Sequence, residues 1–170
     1  MRAVLLAMTF GALATSAAAM TLASQDLKDG QPVAAAHIYP RCGGRNLSPQ
    51  LSWAGAPAAT KSFAITMIDH NVPPNDWSHW IVVGLPPSVT ALRQGAALPS
   101  GARALKTDFG DAAYGGPCPP AGTGTHHYEV TVWALPQAGV SLGGTAKAVE
   151  ATLQRGSLDH ASLTVTARTP

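Results

Sequence analysis

Residues 107 to 135, TDFGDAAYGGPCPPAGTGTHHYEVTVWAL, constrain the fold more than any other part of the chain. The first half is Gly, Pro and small polar residues, with no apolar run able to form a regular element. The second half alternates, with Tyr128, Val130, Val132 and Ala134 on one parity and Glu129, Thr131 and Trp133 on the other. Period-two alternation is the signature of a strand with two different faces. A loop of about twenty residues therefore feeds a strand over 126–135, and loops that long inside a compact domain are usually functional or disordered. This one carries Tyr114, Cys118 and a Gly-Gly-Pro turn, and it ends on His126. It reads as an ordered, functional loop on a β scaffold.

The scaffold is visible on both sides of it. Met20–Ser24 and His37–Tyr39 read as short strands, and Leu51–Trp53 as another. Lys61–Asp69 alternates Phe63, Ile65, Met67 and Asp69 against Ala64, Thr66 and Ile68. His79–Leu85 is apolar on both parities, as in a strand covered on two faces. Ser88–Lys106 reads as loop with one short strand. A single helix follows Thr145, with Ala146, Val149 and Leu153 on its apolar side and Gly156 at its end. Ser162–Arg168 closes the chain as a strand with Leu163, Val165 and Ala167 inward. The fold class is mainly β with one C-terminal helix.

Before the scaffold comes a segment of different character. Arg2 precedes an apolar run from Ala3 to Ala14, and Ser16-Ala17-Ala18-Ala19 offers a small-residue cleavage site. This predicts a signal peptide over 1–19 and one domain over 20–170. The protein is then periplasmic or secreted. Apart from that leader no apolar segment approaches the length of a membrane span. Only 12% of the residues are charged, the formal net charge is +2, and the cations are scattered, which argues against nucleic acid as a partner. In an exported chain, Cys42 and Cys118 are expected to be bonded to each other.

Strand ends then select a site. Asp69 ends one strand and His79 begins the next, while His126 and Tyr128 share a face at the start of the 126–135 strand. His127 points the other way. Three chemistries compete for such a cluster. A zinc site would use Asp69, His79 and His126, but no Cys-x-x-Cys or His-Glu-x-x-His spacing supports it. A nucleophile–His hydrolase lacks a Gly-x-Ser-x-Gly elbow. An anion pocket fits best, because imidazoles, a tyrosine hydroxyl and backbone N–H groups of a Gly-rich loop all donate to a phosphate. No metal, cofactor or catalytic residue is expected.

The ordered set of motifs resembles the phosphatidylethanolamine-binding protein family, in its bacterial Raf-kinase-inhibitor-like branch. The matching segments are Cys42–Pro49 through Trp53, Thr60–Ala64, Asp69–Pro73, Trp77–Val83, Asp108–Gly110, Tyr114–Pro120 and His126–Tyr128. The resemblance implies two antiparallel sheets with Greek-key connections and a peripheral helix. It also implies a small pocket for phosphate-like anions or phospholipid head groups. Pocket positions carried over by motif are Asp69, His79, Gly116, Pro117, His126 and Tyr128, with Tyr114 in the roofing loop. Members generally bind ligands or regulate other proteins, so a protein-interaction inhibitor of a protease or kinase is the alternative. A hydrolase or isomerase acting on a small phosphorylated or carboxylated substrate ranks third. The family's Asp-Pro-Asp-Ala-Pro reads Asp69-His70-Asn71-Val72-Pro73 here. Asn71 is thereby expected to remove a carboxylate from the pocket edge, and Val72–Pro73 to be a cis bond, as at the family's matching Ala-Pro.

Overall fold

In a computed structural model of the chain, residues 19–169 are described. The predicted signal peptide lies almost wholly outside them. Eight strands and one helix follow in chain order: β1 (Thr21–Ala23), β2 (Leu51–Ala54), β3 (Ser62–Asp69), β4 (Trp77–Leu85), β5 (Ala91–Leu92), β6 (Arg103–Ala104), β7 (His126–Leu135), α1 (Ala146–Gly156) and β8 (Asp159–Ala167). They form a three-stranded sheet, β1-β2-β5, and a five-stranded sheet, β6-β4-β3-β7-β8. Every strand pairing in both is antiparallel. β3, β4 and β6 lie side by side and β7 returns to the free edge of β3. That is the Greek-key order, with β5 diverted to the other sheet.

The large sheet has two covered faces, which explains why its central strands read as apolar throughout. One parity of β3, Phe63, Ile65 and Met67, packs with Leu51 and Trp53 of the small sheet. The rings of Trp53 and Phe63 meet edge to face at 5.4 Å. On the opposite face Ala64, Ile81, Val83, Trp133 and Leu135 pack against Val149 and Leu153 of α1. The helix is the predicted one: Thr145 Oγ1 accepts the Ala148 N–H at 3.3 Å as an N-cap, and Ala146, Val149 and Leu153 are its buried residues.

Three local expectations need correction. His37–Tyr39 is not a strand, because its backbone bonds to loops. Asn46 N–H donates to Ile38 O at 2.9 Å and Tyr39 N–H to Pro117 O at 3.1 Å, and a 3-10 turn over Pro40–Cys42 follows. Residues 88–106 hold two short strands, not one. The cis peptide bond joins Pro73 to Pro74, one position after the expected Val72–Pro73. Both bonds precede a proline, whose tertiary amide has only a small trans preference, so the sequence offered two places for the isomer.

Candidate functional site

A β-bulge builds the site. β3 pairs Met67 with Trp80 and Ile68 with Ser78, which leaves His79 as an extra residue on β4. The extra residue restores Trp77, the partner of Asp69, to the face that carries Trp80 and Val82. Asp69 in turn faces Tyr128 across β3–β7. Asp69, Trp77, His79, His126 and Tyr128 thus converge at one end of the large sheet.

They line a cleft of about 590 Å³ together with Tyr39, Arg41, Val72, Asp108, Phe109, Cys118, Pro119 and Pro120. Phe109 is the hub of its aromatic wall: its ring stacks on Tyr39 at 5.0 Å and meets His79 and Trp77 edge-on at 5.1 and 5.9 Å. Most of the lining is ring or aliphatic surface, and the charged groups are Asp69, Asp108 and Arg41, besides the two histidines.

The histidines and carboxylates of the cleft are each held by a second contact. His79 Nδ1 lies 2.7 Å from Gly115 O and so donates to it, which leaves Nε2 as a bare acceptor on the neutral ring. Burial lowers the His79 pKa below its ordinary 6.5, against the opposite pull of the Gly115 and Gly116 backbone and of Asp69 and Asp108. His126 Nδ1 donates to Asp69 Oδ2 at 2.6 Å, and Asn71 N–H donates to Asp69 Oδ1 at 2.9 Å. Asp108 Oδ2 accepts from Ser78 N–H at 2.7 Å and Ser78 Oγ at 2.6 Å. Both carboxylates are engaged. The Tyr128 hydroxyl is buried beside the Asp69 carboxylate and makes no hydrogen bond of ordinary length and angle. Burial first, then the neighbouring Asp69 charge, pushes this phenol far above its normal range, so it stays a neutral donor.

Of the residues picked from sequence, Asp69, His79, His126 and Tyr128 line the cleft; Tyr114, Gly116 and Pro117 stand behind its wall. Tyr114 Oη donates to His37 O at 2.9 Å, Pro117 O accepts from Tyr39 N–H, and Gly116 N–H donates to Asn46 Oδ1 at 2.7 Å. These bonds, with the Cys42–Cys118 disulfide, dock residues 114–118 on the 37–46 segment. Gly116 is required there, because a Cβ would be driven into the His37 carbonyl oxygen and lie 2.7 Å from Tyr39 N. Gly116→Ala should therefore destabilise the protein by about 1–3 kcal/mol in urea unfolding, and no loss would show that the two segments yield easily.

Asn71 corrects an expectation. It lies outside the cleft lining, and its Oδ1 accepts the His127 N–H at 2.7 Å on the exposed side of β7. A turn cap, not a pocket charge, is what this position provides. Sequence reasoning also missed Arg41, Tyr39, Trp77 and Phe109. The Asp108-Phe109-Gly110 motif was the one available signal for the last.

One relay has the connectivity of a hydrolase: Thr123 Oγ1 is 2.9 Å from His126 Nε2, and His126 bonds Asp69. Thr123 is exposed and outside the cleft lining, and its hydroxyl also donates to Pro120 O at 2.7 Å. The relay braces the His126 ring.

Two antiparallel sheets with a preformed, ring-lined cleft at one end define a ligand-binding β protein. The chain belongs to the phosphatidylethanolamine-binding protein family, whose family model matches residues 23–168. It is 43% identical over 137 residues to the UPF0098 protein YbcL of Escherichia coli (strain K12), covering 75% of each chain. It is likewise 43% identical over 124 residues to UPF0098 protein YbhB of the same organism, covering 68% of this chain and 78% of that one. A crystal structure of E. coli YbcL, a new member of the mammalian PEBP family, matches with a TM-score of 0.82 and 35% identity, over 90% of this chain and all of that one. A putative phosphatidylethanolamine-binding protein homolog from Chlamydia trachomatis, CT736, gives 0.74 and 30%, over 89% of this chain and 99% of that one.

Proposed function

We propose that this chain is an exported binding protein whose cleft takes an anionic head group carrying an apolar portion, a phosphate monoester or phosphodiester of the phospholipid head-group class, without turnover. The observation that carries this reading is the ring-lined cleft, with the Tyr128 hydroxyl buried among its rings and short of a hydrogen bond of ordinary geometry. A buried hydroxyl without a partner is uncommon and calls for one. Arg41 and His79 line the same cleft, Arg41 as a charged donor and His79 as a donor at Nε2 once its ring takes up a proton. The aromatic wall supplies the apolar contact that a bare inorganic ion would not use, and the volume suits a small ligand. The residues 1–19 pattern and the Cys42–Cys118 bond support export to an oxidising compartment.

Calorimetric titration with sulfate, inorganic phosphate and a short-chain phosphatidylethanolamine tests the reading. The lipid should bind most tightly, and Tyr128→Phe should weaken it several-fold. No binding of any of the three, or an unchanged Tyr128→Phe, would refute it. Export is checked separately by intact mass of the protein recovered from outside the cytoplasm, which should begin at Met20.

Binding should also be linked to a proton. Because His79 gives Nδ1–H to Gly115, an anion at Nε2 needs the imidazolium, which burial disfavours. The folded pKa lies below the unfolded one, so the ring's contribution to stability is complete above about pH 6.5 and is lost as pH falls through the folded pKa. An anion restores that loss. Sulfate, whose charge is constant over this range, should raise the melting temperature more at pH 5 than at pH 7.5, with affinity gaining at most about tenfold per pH unit. An equal shift at both values would remove His79 from the donor set.

A further inference from the structure

On the helix side of the large sheet, outside the cleft, three chain segments bring together one imidazole and two carboxylates. They are His70 of the turn after β3, Glu129 of β7 and Glu150 of α1, and one ligand atom from each lies within 4.8 Å of the others. Among the described residues this is the one such grouping. It borders a recess of about 400 Å³ lined by Glu129, Glu150, Asp76, Lys147, Trp133 and His160 among others.

His70 is set up in a particular way. Its Nδ1 is 3.0 Å from Asp76 Oδ2, and the Asp76 side chain is only 10% exposed. The carboxylate accepts, so Nδ1 carries the proton, and in the neutral ring the Nε2 lone pair faces outward. What it faces is another acceptor, Glu150 Oε1, at 3.7 Å. A proton on Nε2 or a metal ion between the two atoms satisfies both groups. The carboxylate–imidazole arrangement is also the one that orients metal-ligating histidines. Lys147 makes no direct ion pair with either glutamate, and its Nζ contacts are the Pro74 carbonyl at 2.7 Å and Asp76 Oδ1 at 3.5 Å. Thr131 Oγ1 donates to Glu129 Oε1 at 3.0 Å, which steadies that side chain.

We propose that His70 Nε2, Glu129 and Glu150 hold a divalent first-row transition ion of the zinc type, with Asp76 as the group that orients His70. One nitrogen and two carboxylate oxygens suit zinc, whereas magnesium and calcium take oxygen ligands. Zinc holds such ligands at about 2.0–2.2 Å, so the three atoms draw together by rotation of side chains that are partly exposed. The fourth position falls to water from the recess. The ion ties the helix to β7 and to the turn after Asp69, a turn whose backbone already bonds β7 through His70 N–H and His127 O at 3.2 Å.

The test is calorimetric titration of the untagged protein with zinc at pH 7.5, followed by anomalous diffraction at the zinc edge. One ion per chain is expected, with its peak between His70, Glu129 and Glu150 and no displacement by millimolar magnesium. Glu150→Gln should weaken it by more than about tenfold, and Asp76→Asn by about 10–100-fold. Glu129→Gln serves the same purpose should Glu150→Gln disturb the helix by circular dichroism. No uptake, an unchanged affinity in these variants, or a peak at the cleft histidines would each overturn the proposal and leave His70 as an ordinary ion-pairing residue.

Discussion

Replacing Asp69 by alanine is expected to lower the unfolding free energy by about 2–4 kcal/mol, because it removes a carboxylate that accepts one buried hydrogen bond and one more exposed one. Asp69 is 2% exposed and His126 4%, so the bond between them is shielded from water in the intact protein. One buried donor is stranded, His126 Nδ1–H, while the Asn71 N–H, on an exposed residue, turns to water. Asp69→Asn keeps one acceptor oxygen and should cost less, about 1–3 kcal/mol. Urea unfolding of both variants decides the matter. Were Asp69→Ala to lose under about 1 kcal/mol, the pair would contribute no more than an exposed ion pair does. Ligand affinity should fall with it, because the same bond aims the His126 ring along the cleft wall.

The route to that pair shows what sequence carries and what it does not. Strand parity placed His126 and Tyr128 on one face, and the structure agrees, because β7 is regular over all ten residues and alternation holds along it. The helix was equally legible, since its cap, its three apolar positions and its end are all local signals. β4 was different. Strict alternation puts Trp77 and Trp80 on opposite faces, and only the unpaired His79 brings Trp77 round to Asp69. A bulge depends on the partner strand's register, which no single strand's pattern reveals. Arg41 and Tyr39 were hidden for another reason: they sit in an irregular segment positioned by its contacts with residues 114–117, and periodicity says nothing there. Asn71 misled because its neighbour Asp69 is a site residue. After a strand ends, adjacent side chains need not share surroundings.

The dependence of that irregular segment on one covalent bond leads to the second large effect. Cys42 and Cys118 are 76 residues apart with their Cα atoms at 5.7 Å. Replacing both by serine should destabilise the fold by roughly 4 kcal/mol on the chain-entropy estimate for a loop of that length. The effect on binding should be separable from the effect on stability. Cys118 and Arg41 both line the cleft, and Tyr39 stacks on Phe109 from the same side. Without the bond, the wall rests on Tyr39 N–H to Pro117 O, Gly116 N–H to Asn46 Oδ1 and Tyr114 Oη to His37 O. Such bonds contribute only about 0.5–1.5 kcal/mol each, so the wall should open locally well below the global transition. Hydrogen exchange on the double serine variant should show faster exchange at Gly116 and Tyr39 under conditions where β3 and β7 remain protected. Uniform acceleration across all strands would mean that the disulfide acts on the whole fold and not on the cleft wall. Unchanged stability would mean that the unfolded chain is already compact around this pair, which removes the entropy the bond is held to restrict.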